Sequence, residues 1–423
     1  MSSSAIRSRI ERVRRPARNP VPVYLLIEGG QAFLFALTFT LNLIYQVTIA
    51  GLSPLEMVLV GTILETTCFL FEVPTGIVAD LYSRRRSILI GIAIIGVGFV
   101  VEGAIPAFVA IAVAQVIWGI GYTFTSGAVE AWITDEIGED AVGPVFLRGS
   151  QVALIGGIGG TVLGTGLGLV ALQVPIVLGG LGMLALAGIL FIVMPERHMT
   201  VTPAGDRTTF GHMKHTFVEG IRLARRRPVV RTLIAISLVV GLASEAFDRL
   251  NQVSILDRFS DDLPHPFGTD SPALVFGLSS LVGTALGLLA TELLRRHRPE
   301  SLGAGTPARL LAGLAAVQVG ATFGFVLMGN LWLALAMLWL RGVAGTLIGP
   351  ISAAWLNRNL DSSLRATVIS MEGQANAIGQ VAGGPPLGWI GGRVSVSTAI
   401  VASGLVLSPI VALYGSLRDR PER

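Results

Sequence analysis

Carboxyl groups lie inside apolar stretches of this sequence, at a spacing that suits proton movement. Glu65 and Glu72 are seven residues apart, so in a helix both lie on one face. An ionised carboxylate is costly to bury, and in a membrane such a group needs a partner, a cavity or a proton. Two interpretations stay open for each residue: a proton pathway, or a hydrogen bond to a neighbouring helix.

A second charged group lies further along the chain, at Glu245, Asp248 and Arg249. Glu245 and Arg249 are spaced i,i+4 and can pair within one helix, which would leave Asp248 free to contact a substrate or an ion. Glu245 is also a candidate for carrying a proton. Arg341 lies midway along another apolar stretch, where it could neutralise a buried glutamate or hold an anionic substrate group. A purely structural ion pair is the alternative.

Polar and aromatic side chains pair at helical spacing in two other stretches. Glu28 and Gln31 lie one turn apart. Trp118 and Tyr122 are spaced i,i+4 and would form an aromatic wall suited to stacking an organic ligand. Core packing is the alternative for this aromatic pair.

A polar stripe recurs every four residues at Glu372, Asn376 and Gln380. The four-residue spacing places all three on one helix face. Such a stripe faces either other helices or a cavity, and both interpretations stay open.

Membrane-spanning helices are the elements that would position these residues. Only 14% of the residues are charged and 52% are hydrophobic, whereas soluble proteins carry about 25% charged residues. The mean hydropathy is +0.70, and the apolar runs reach the roughly 20 residues that cross a bilayer. We therefore predict an all-α polytopic membrane protein. Its twelve candidate spans are 22–49, 54–79, 87–105, 107–129, 144–172, 175–194, 230–255, 273–294, 307–328, 331–355, 366–391 and 396–415.

Arginines fall on one side of this topology. They occur in the N-terminal tail, the turn at Arg84–Arg86, the central loop, the loop between spans eight and nine, and the C-terminal tail. The opposite loops hold only Arg258 and Arg393. Basic loops stay in the cytoplasm, so we expect a multi-pass protein of the cell inner (cytoplasmic) membrane with both termini cytoplasmic. This rule also accounts for the net charge of +4 without a nucleic-acid partner.

The turn after the second span has a degraded copy in the second half of the chain. The spacing of Gly76, Ala79, Asp80, Arg84 and Arg85 recurs in Gly287, Ala290, Thr291, Arg295 and Arg296. Such a copy is typical of parallel repeats about an axis along the membrane normal. We predict two pseudo-symmetric six-helix bundles, at 22–194 and 230–415. They are flanked by a basic tail at 1–21, a linker at 195–229 that contains an amphipathic helix, and a tail at 416–423.

These motifs resemble the major facilitator superfamily of secondary transporters. The resemblance rests on the turn from Glu72 to Arg86, on SGAVEAW at 126–132 and on RATVIS at 365–370. It implies alternating access, with the first, fourth, seventh and tenth spans lining a central cavity. It also implies a branch rich in proton-driven exporters of drugs and metabolites. Gly76, Asp80, Arg84 and Arg85 would form a gating loop, with Asp80 as a latch for one access state.

Two features differ from the exporter pattern. Gln115 stands where proton-coupled exporters often carry an arginine, four residues before Gly119. We also expect the glycine-rich fifth span to lack the proline of the exporters' Gly-Pro motif. Both differences leave an importer or a facilitator open as alternatives to export.

The sequence thus predicts a secondary active transporter, by expectation a proton-coupled antiporter that carries out efflux of a small organic solute, and not an enzyme. A channel or a membrane-embedded enzyme is the alternative from another class. We expect no cofactor and no metal, a monomer, and membrane lipids, protons and a small-molecule substrate as partners. The substrate or cavity candidates are Glu28, Gln31, Gln115, Trp118, Tyr122, Glu245, Asp248, Arg341 and Asn376. The proton-coupling candidates are Glu65, Glu72, Glu245 and Glu372.

Overall fold

The computed structural model describes residues 19–197, 225–263, 272–297, 307–359 and 362–417, and also the single residues 218, 222 and 223 of the central loop. All regular secondary structure in these ranges is helical, and short irregular segments connect the helices. The helices are Pro20–Phe39 and Asn42–Thr48 (first span), Pro54–Leu81 (second), Arg84–Ala104 (third), Phe108–Thr125 and Ala128–Ile137 (fourth), Glu139–Gly168 (fifth), Gln173–Val193 (sixth), Pro228–Phe259 (seventh), Ala273–His297 (eighth), Pro307–Leu327 (ninth), Leu331–Asn359 (tenth), Ser362–Arg393 (eleventh), and Val396–Leu407 with Pro409–Ser416 (twelfth).

Eleven of these spans are long and apolar enough to cross a membrane. The eleventh span, Ser362–Arg393, is long enough at 32 residues but more polar, because it carries the stripe Glu372, Asn376 and Gln380. Large apolar side chains such as Phe191 remain exposed, at 67% of the full area. Such exposure suits contact with lipid. The all-α, multi-pass architecture is confirmed.

Local sequence signals explain several helix boundaries. The second span begins in a capping box, in which the Ser53 hydroxyl and the Glu56 side chain each bond the other's backbone N–H. The third span begins after Ser83, whose hydroxyl accepts from the Arg86 N–H. The fourth span breaks at Gly127, whose φ of 69° is a left-handed backbone conformation that favours glycine.

One boundary overturns an expectation. The fifth span begins at Glu139, before the predicted start at 144, so Gly143 lies inside the helix together with Pro144, the first residue of the predicted span. The expectation that this helix contains no proline is wrong. Our prediction began the span where its hydropathy rises, and so missed the polar first turns of the helix.

Buried apolar side chains form three clusters, which show how the two halves meet. We call the end of the bundle that carries Arg84–Arg86 the basic end. Near it, one cluster belongs only to the first six spans (the N-terminal half), and a second to the last six spans (the C-terminal half). The third cluster lies at the opposite end and includes residues of both halves, such as Val58 and Phe247. The halves therefore share a core at the opposite end and separate toward the basic end.

Glycines of the eleventh span allow this close contact at the opposite end. A Cβ on Gly384 would lie 2.7 Å from Thr62 Oγ1, and one on Gly388 would lie 2.9 Å from Val58 Cβ. Both neighbours belong to the second span. The second span therefore packs directly on the backbone of the eleventh, and this contact closes the opposite end.

Some predictions concern parts that lie outside the described residues. These are the basic tail at 1–18, nearly all of the amphipathic helix of the linker, and the tail at 418–423. The Asp80 side chain also lies outside the description, although its backbone belongs to the second span. Its role as a latch stays a prediction.

Candidate functional site

A cavity of about 690 Å³ lies between the two halves, on the side of the basic end. We call it the inter-half cavity. The second span contributes Glu65, Cys68 and Glu72, and the fourth contributes Tyr122. The eleventh span forms the facing wall with Thr367, Ile369, Ser370, Gly373, Gln374, Asn376, Ala377 and Gln380.

Glu65 and Glu72 both reach this cavity, as their common helix face requires. Glu65 is half-buried and Glu72 is exposed. Neither carboxyl forms a hydrogen bond or an ion pair with any residue that the structure describes. The hydrogen bond to a neighbouring helix, considered for both, is therefore not formed in this conformation.

A second cavity of about 520 Å³ lies within the C-terminal half, and we call it the C-terminal cavity. Spans seven, nine, ten, eleven and twelve line it, and Glu372 is the only carboxylic acid among the described residues of its wall. Asn376 and Ile369 line both cavities, so the two adjoin. The Asn376 amide donates to the Ser237 carbonyl at 3.3 Å and accepts from Gln380 at 2.6 Å. The polar stripe of the eleventh span thus contributes side chains to the walls of both cavities.

The charged residues of the seventh span pair among themselves and with the tenth span. Glu245 and Arg249 pair at 3.4 Å between Oε2 and Nε. Asp248 is not left free, because its carboxylate lies 3.6 Å from the Arg341 guanidinium. Arg341 also covers the Phe247 ring at 3.6 Å from its centroid, with Nε unbonded. Arg341 lines neither cavity in this conformation, and its role in holding a substrate stays a prediction.

Glycine at position 61 brings the second span against this charged group. A Cβ at Gly61 would overlap the Glu245 carboxylate and approach Arg249 Nε to 2.6 Å. The Glu245–Arg249 pair therefore lies in the contact between the two halves. Glu245 is only 6% exposed and does not line a cavity.

Sequence reasoning missed the most deeply buried carboxyl group of the N-terminal half. Glu102 of the third span is fully buried. Its Oε1 accepts from Gln46 at 2.8 Å, and its Oε2 accepts from Gln115 at 3.1 Å. The signal was a single glutamate near the end of an otherwise apolar span, together with a polar residue, Gln115, in the next span.

Gln115 is therefore part of a buried network and does not face a cavity. It is 1% exposed and accepts from the Trp118 indole at 2.9 Å. Trp118 packs in turn against three phenylalanine rings and is 8% exposed. Tyr122 instead is 46% exposed and lines the inter-half cavity. The predicted aromatic wall thus divides into one core residue and one cavity residue.

The first span contributes no residue to either cavity, contrary to what the resemblance implied. Glu28 is half-buried. The Gln31 amide nitrogen is buried without a hydrogen-bond partner among the described residues. Span four does line the inter-half cavity, whereas spans seven and ten line only the C-terminal cavity.

The predicted gating loop is tied to the N-terminal half. Arg84 pairs with Asp135 of the fourth span and donates to the Ala131 carbonyl at 2.8 Å. Arg85 donates from Nε to the Met194 carbonyl at 2.8 Å. Arg84 thus connects the arginine run to the C-terminal end of the fourth span. A Cβ at position 76 would meet no atom within 4 Å among the described residues. Close packing therefore does not require glycine there in this conformation.

Metal chemistry has no candidate cluster in the part of the chain that the structure describes. There, no three histidine, cysteine or acidic residues lie close enough to hold an ion. The wall of the inter-half cavity instead offers carboxyls, amides, hydroxyls and the Tyr122 phenol. Such groups suit binding an organic solute.

Twelve helical spans in two halves around a polar cavity are the architecture of a membrane transport protein. The chain matches the model of the Major Facilitator Superfamily over residues 28–384, and it belongs to that superfamily. It is a transporter of small molecules and not an enzyme.

Several known proteins are similar to it. The "Uncharacterized MFS-type transporter YxaM" of Bacillus subtilis (strain 168) is 23% identical over 363 residues, which cover 85% of this chain and 86% of the relative. The structure of the nucleoside transporter NupG has a TM-score of 0.72 at 14% identity, covering 95% of this chain and all of that one. A bacterial homolog of the human lysosomal transporter Spinster, inward-facing and occupied, has a TM-score of 0.70 at 14% identity, covering 94% of this chain and 96% of that one. The two solved structures share the fold.

Proposed function

We propose that this transporter exports a small organic solute from the cytoplasm by alternating access, in exchange for protons. The observation that supports it best is the pair of unbonded carboxyls, Glu65 and Glu72, in a cavity between two halves that are closed at one end. A carboxyl group that meets water and solute in turn can bind a proton in one access state and release it in the other.

The arginine distribution places the basic end in the cytoplasm. On that assignment the conformation described here is inward-facing, with its cavity ready to receive a cytoplasmic solute. The protein then lies in the cell inner membrane with both termini cytoplasmic, and it works as a monomer, since each chain holds both halves of the cavity.

Import or facilitated diffusion is the second candidate. It is favoured by Gln115, which stands at the position where exporters often carry an arginine and which is bonded to Glu102. In that case the position supplies no charge for exchange with protons.

Transport by purified protein in liposomes separates these candidates. A solute that raises the thermal stability of the protein is first selected, because binding to the folded state stabilises it. Antiport accumulates this solute in the acidic compartment when a pH gradient is imposed, whereas symport accumulates it in the alkaline compartment. Flux that ignores the gradient contradicts proton coupling.

Glu65→Gln is the matched variant for this assay. It removes the titratable group while it keeps the shape of the side chain, so gradient-driven accumulation should be lost while exchange of solute persists. Glu139→Gln, at an exposed position where the fifth span begins, is the control and should behave as the wild type. Normal accumulation in Glu65→Gln would remove Glu65 from the coupling mechanism.

A further inference from the structure

The arginines of spans seven and ten already have carboxylate partners. Arg249 pairs with Glu245 at 3.4 Å, and Arg341 pairs with Asp248 at 3.6 Å. Their side chains are 17% and 15% exposed, and neither lines a cavity. Their positive charges are thus balanced by the protein itself.

Among the described residues, the charged side-chain types that line the two cavities are all acidic. Glu65 and Glu72 line the inter-half cavity, and Glu372 lines the C-terminal cavity. No lysine or arginine is among the described residues that line either cavity. None of the three carboxyls forms a hydrogen bond or an ion pair with a described residue. A cleft lined by charge of one sign concentrates ligands of the opposite sign.

The C-terminal cavity adds an apolar compartment beside this negative region. Leu233, Ile236, Val240, Ile348 and Leu356 all face it. It adjoins the inter-half cavity at Asn376 and Ile369, which line both cavities. One ligand could therefore extend from the carboxyls into the apolar space, where burial of its hydrocarbon would stabilise the complex.

We propose that the transported solute is an organic cation with an apolar body. Its positive group is held by the cavity carboxyls, and its apolar body enters the C-terminal cavity. This assignment rests on the proposed function, because it takes the two cavities as the transport pathway. It adds the chemical class of the solute, which the likeness in fold leaves open.

Two ions of the same shape and opposite charge test this inference. Tetraphenylphosphonium and tetraphenylborate are titrated into the purified full-length protein in detergent at one pH and one salt concentration. We expect tetraphenylphosphonium to bind saturably and tetraphenylborate to bind at least about tenfold more weakly, since a charge contact in such a site is worth more than 1.4 kcal/mol.

Single substitutions of glutamate by glutamine identify the carboxyl group that holds the cation. Glu65→Gln, Glu72→Gln and Glu372→Gln are compared with Glu139→Gln as the control. At least one of the three cavity variants should weaken tetraphenylphosphonium binding about tenfold, while the control stays unchanged. Thermal melting identifies any variant that fails to fold, and the other two variants keep the test decisive.

Several outcomes overturn the inference: no binding of tetraphenylphosphonium, equal binding of both ions, or binding that is unchanged in all three cavity variants. The proposed function fails separately. Carboxyl-dependent binding of the cation without transport in liposomes leaves the cation site standing and contradicts the transport proposal. Gradient-driven transport of a neutral or anionic solute, without cation binding, supports the proposed transport function and contradicts the proposal that the solute is a cation.

Discussion

At the residue scale, some carboxyl groups of the spans pair with arginines, others face a cavity, and Glu102 accepts hydrogen bonds from buried amides. Glu245 is 6% exposed and is held by Arg249 at 3.4 Å, in the contact between the halves. Glu65 and Glu72 face the inter-half cavity and have no hydrogen-bond or ion-pair partner among the described residues. The paired charges stabilise the protein, and the unpaired ones remain available to protons and solute.

Neutralising Arg249 should therefore destabilise the protein more than neutralising the whole pair. Arg249→Gln leaves Glu245 as a buried charge without its partner, which costs on the order of 3–5 kcal/mol. The double variant Glu245→Gln/Arg249→Gln removes that charge and should recover part of the lost melting temperature, measured on purified protein in detergent. A double variant no more stable than Arg249→Gln would contradict this account of the pair.

At the element scale, the eleventh helix decides how closely the halves approach at the opposite end. It is the most polar of the spans and carries two consecutive prolines, Pro385 and Pro386. Its glycines meet the second span where a side chain would clash, as at Gly388 against Val58. The helix thus combines a solute-facing stripe with a contact that closes the cavity at one end.

Gly388→Ala should shift the protein away from this closed contact. The new Cβ lies 2.9 Å from Val58 Cβ, and overpacking of this kind costs about 1–3 kcal/mol. Cys68 lines the inter-half cavity, so its rate of modification by a membrane-impermeant thiol reagent reports the open population. We expect a lower rate in Gly388→Ala in vesicles that expose the basic end.

Gly392→Ala is the matched control for this substitution. Its Cβ would lie 3.9 Å from Leu55 Cβ, an ordinary contact in the same helix. Labelling in Gly392→Ala should equal that of the wild type. Equal labelling in Gly388→Ala and Gly392→Ala would show that the glycine contact does not control access.

At the scale of the whole molecule, three cores set the conformation. One core joins the halves at the opposite end, while each half has its own core near the basic end. The inter-half cavity lies between the two separate cores, and this difference gives access from one side only. Superfamily members alternate between such states.

The single cysteine of the chain tests this sidedness without any engineered site. Cys68 should react with an impermeant reagent in inside-out vesicles, which expose the basic end if that end is cytoplasmic, and react slowly in right-side-out cells. Cys68→Ser is the control for unspecific labelling. Faster reaction from the cell exterior would contradict the inward-facing assignment.

Sequence reasoning succeeded where the physical signal is local. Spans follow from runs of apolar residues, and the predicted boundaries agree with the helices to within a few residues at most ends. The early start of the fifth span at Glu139 was missed because its first turns are polar. Likewise, the spacing of Glu65 and Glu72 sufficed to place both on one helix face, and both line the same cavity.

Pairing between distant spans could not be predicted. Asp248 and Arg341 belong to different spans, and nothing in either span specifies the other as its partner. Glu102 was overlooked for the same reason, since its amide partners Gln46 and Gln115 come from two other spans. Local spacing suggested only the Glu245–Arg249 pair, which forms within one helix.

By itself, the sequence determined the helical class, the number of spans, the side on which the arginines lie and the superfamily. Those properties depend on hydropathy and charge summed along the chain. Only the tertiary structure decided which charges are paired, which carboxyls face a cavity, and which end is closed. Those properties depend on how side chains from separate spans meet, and such contacts arise only when the helices pack together.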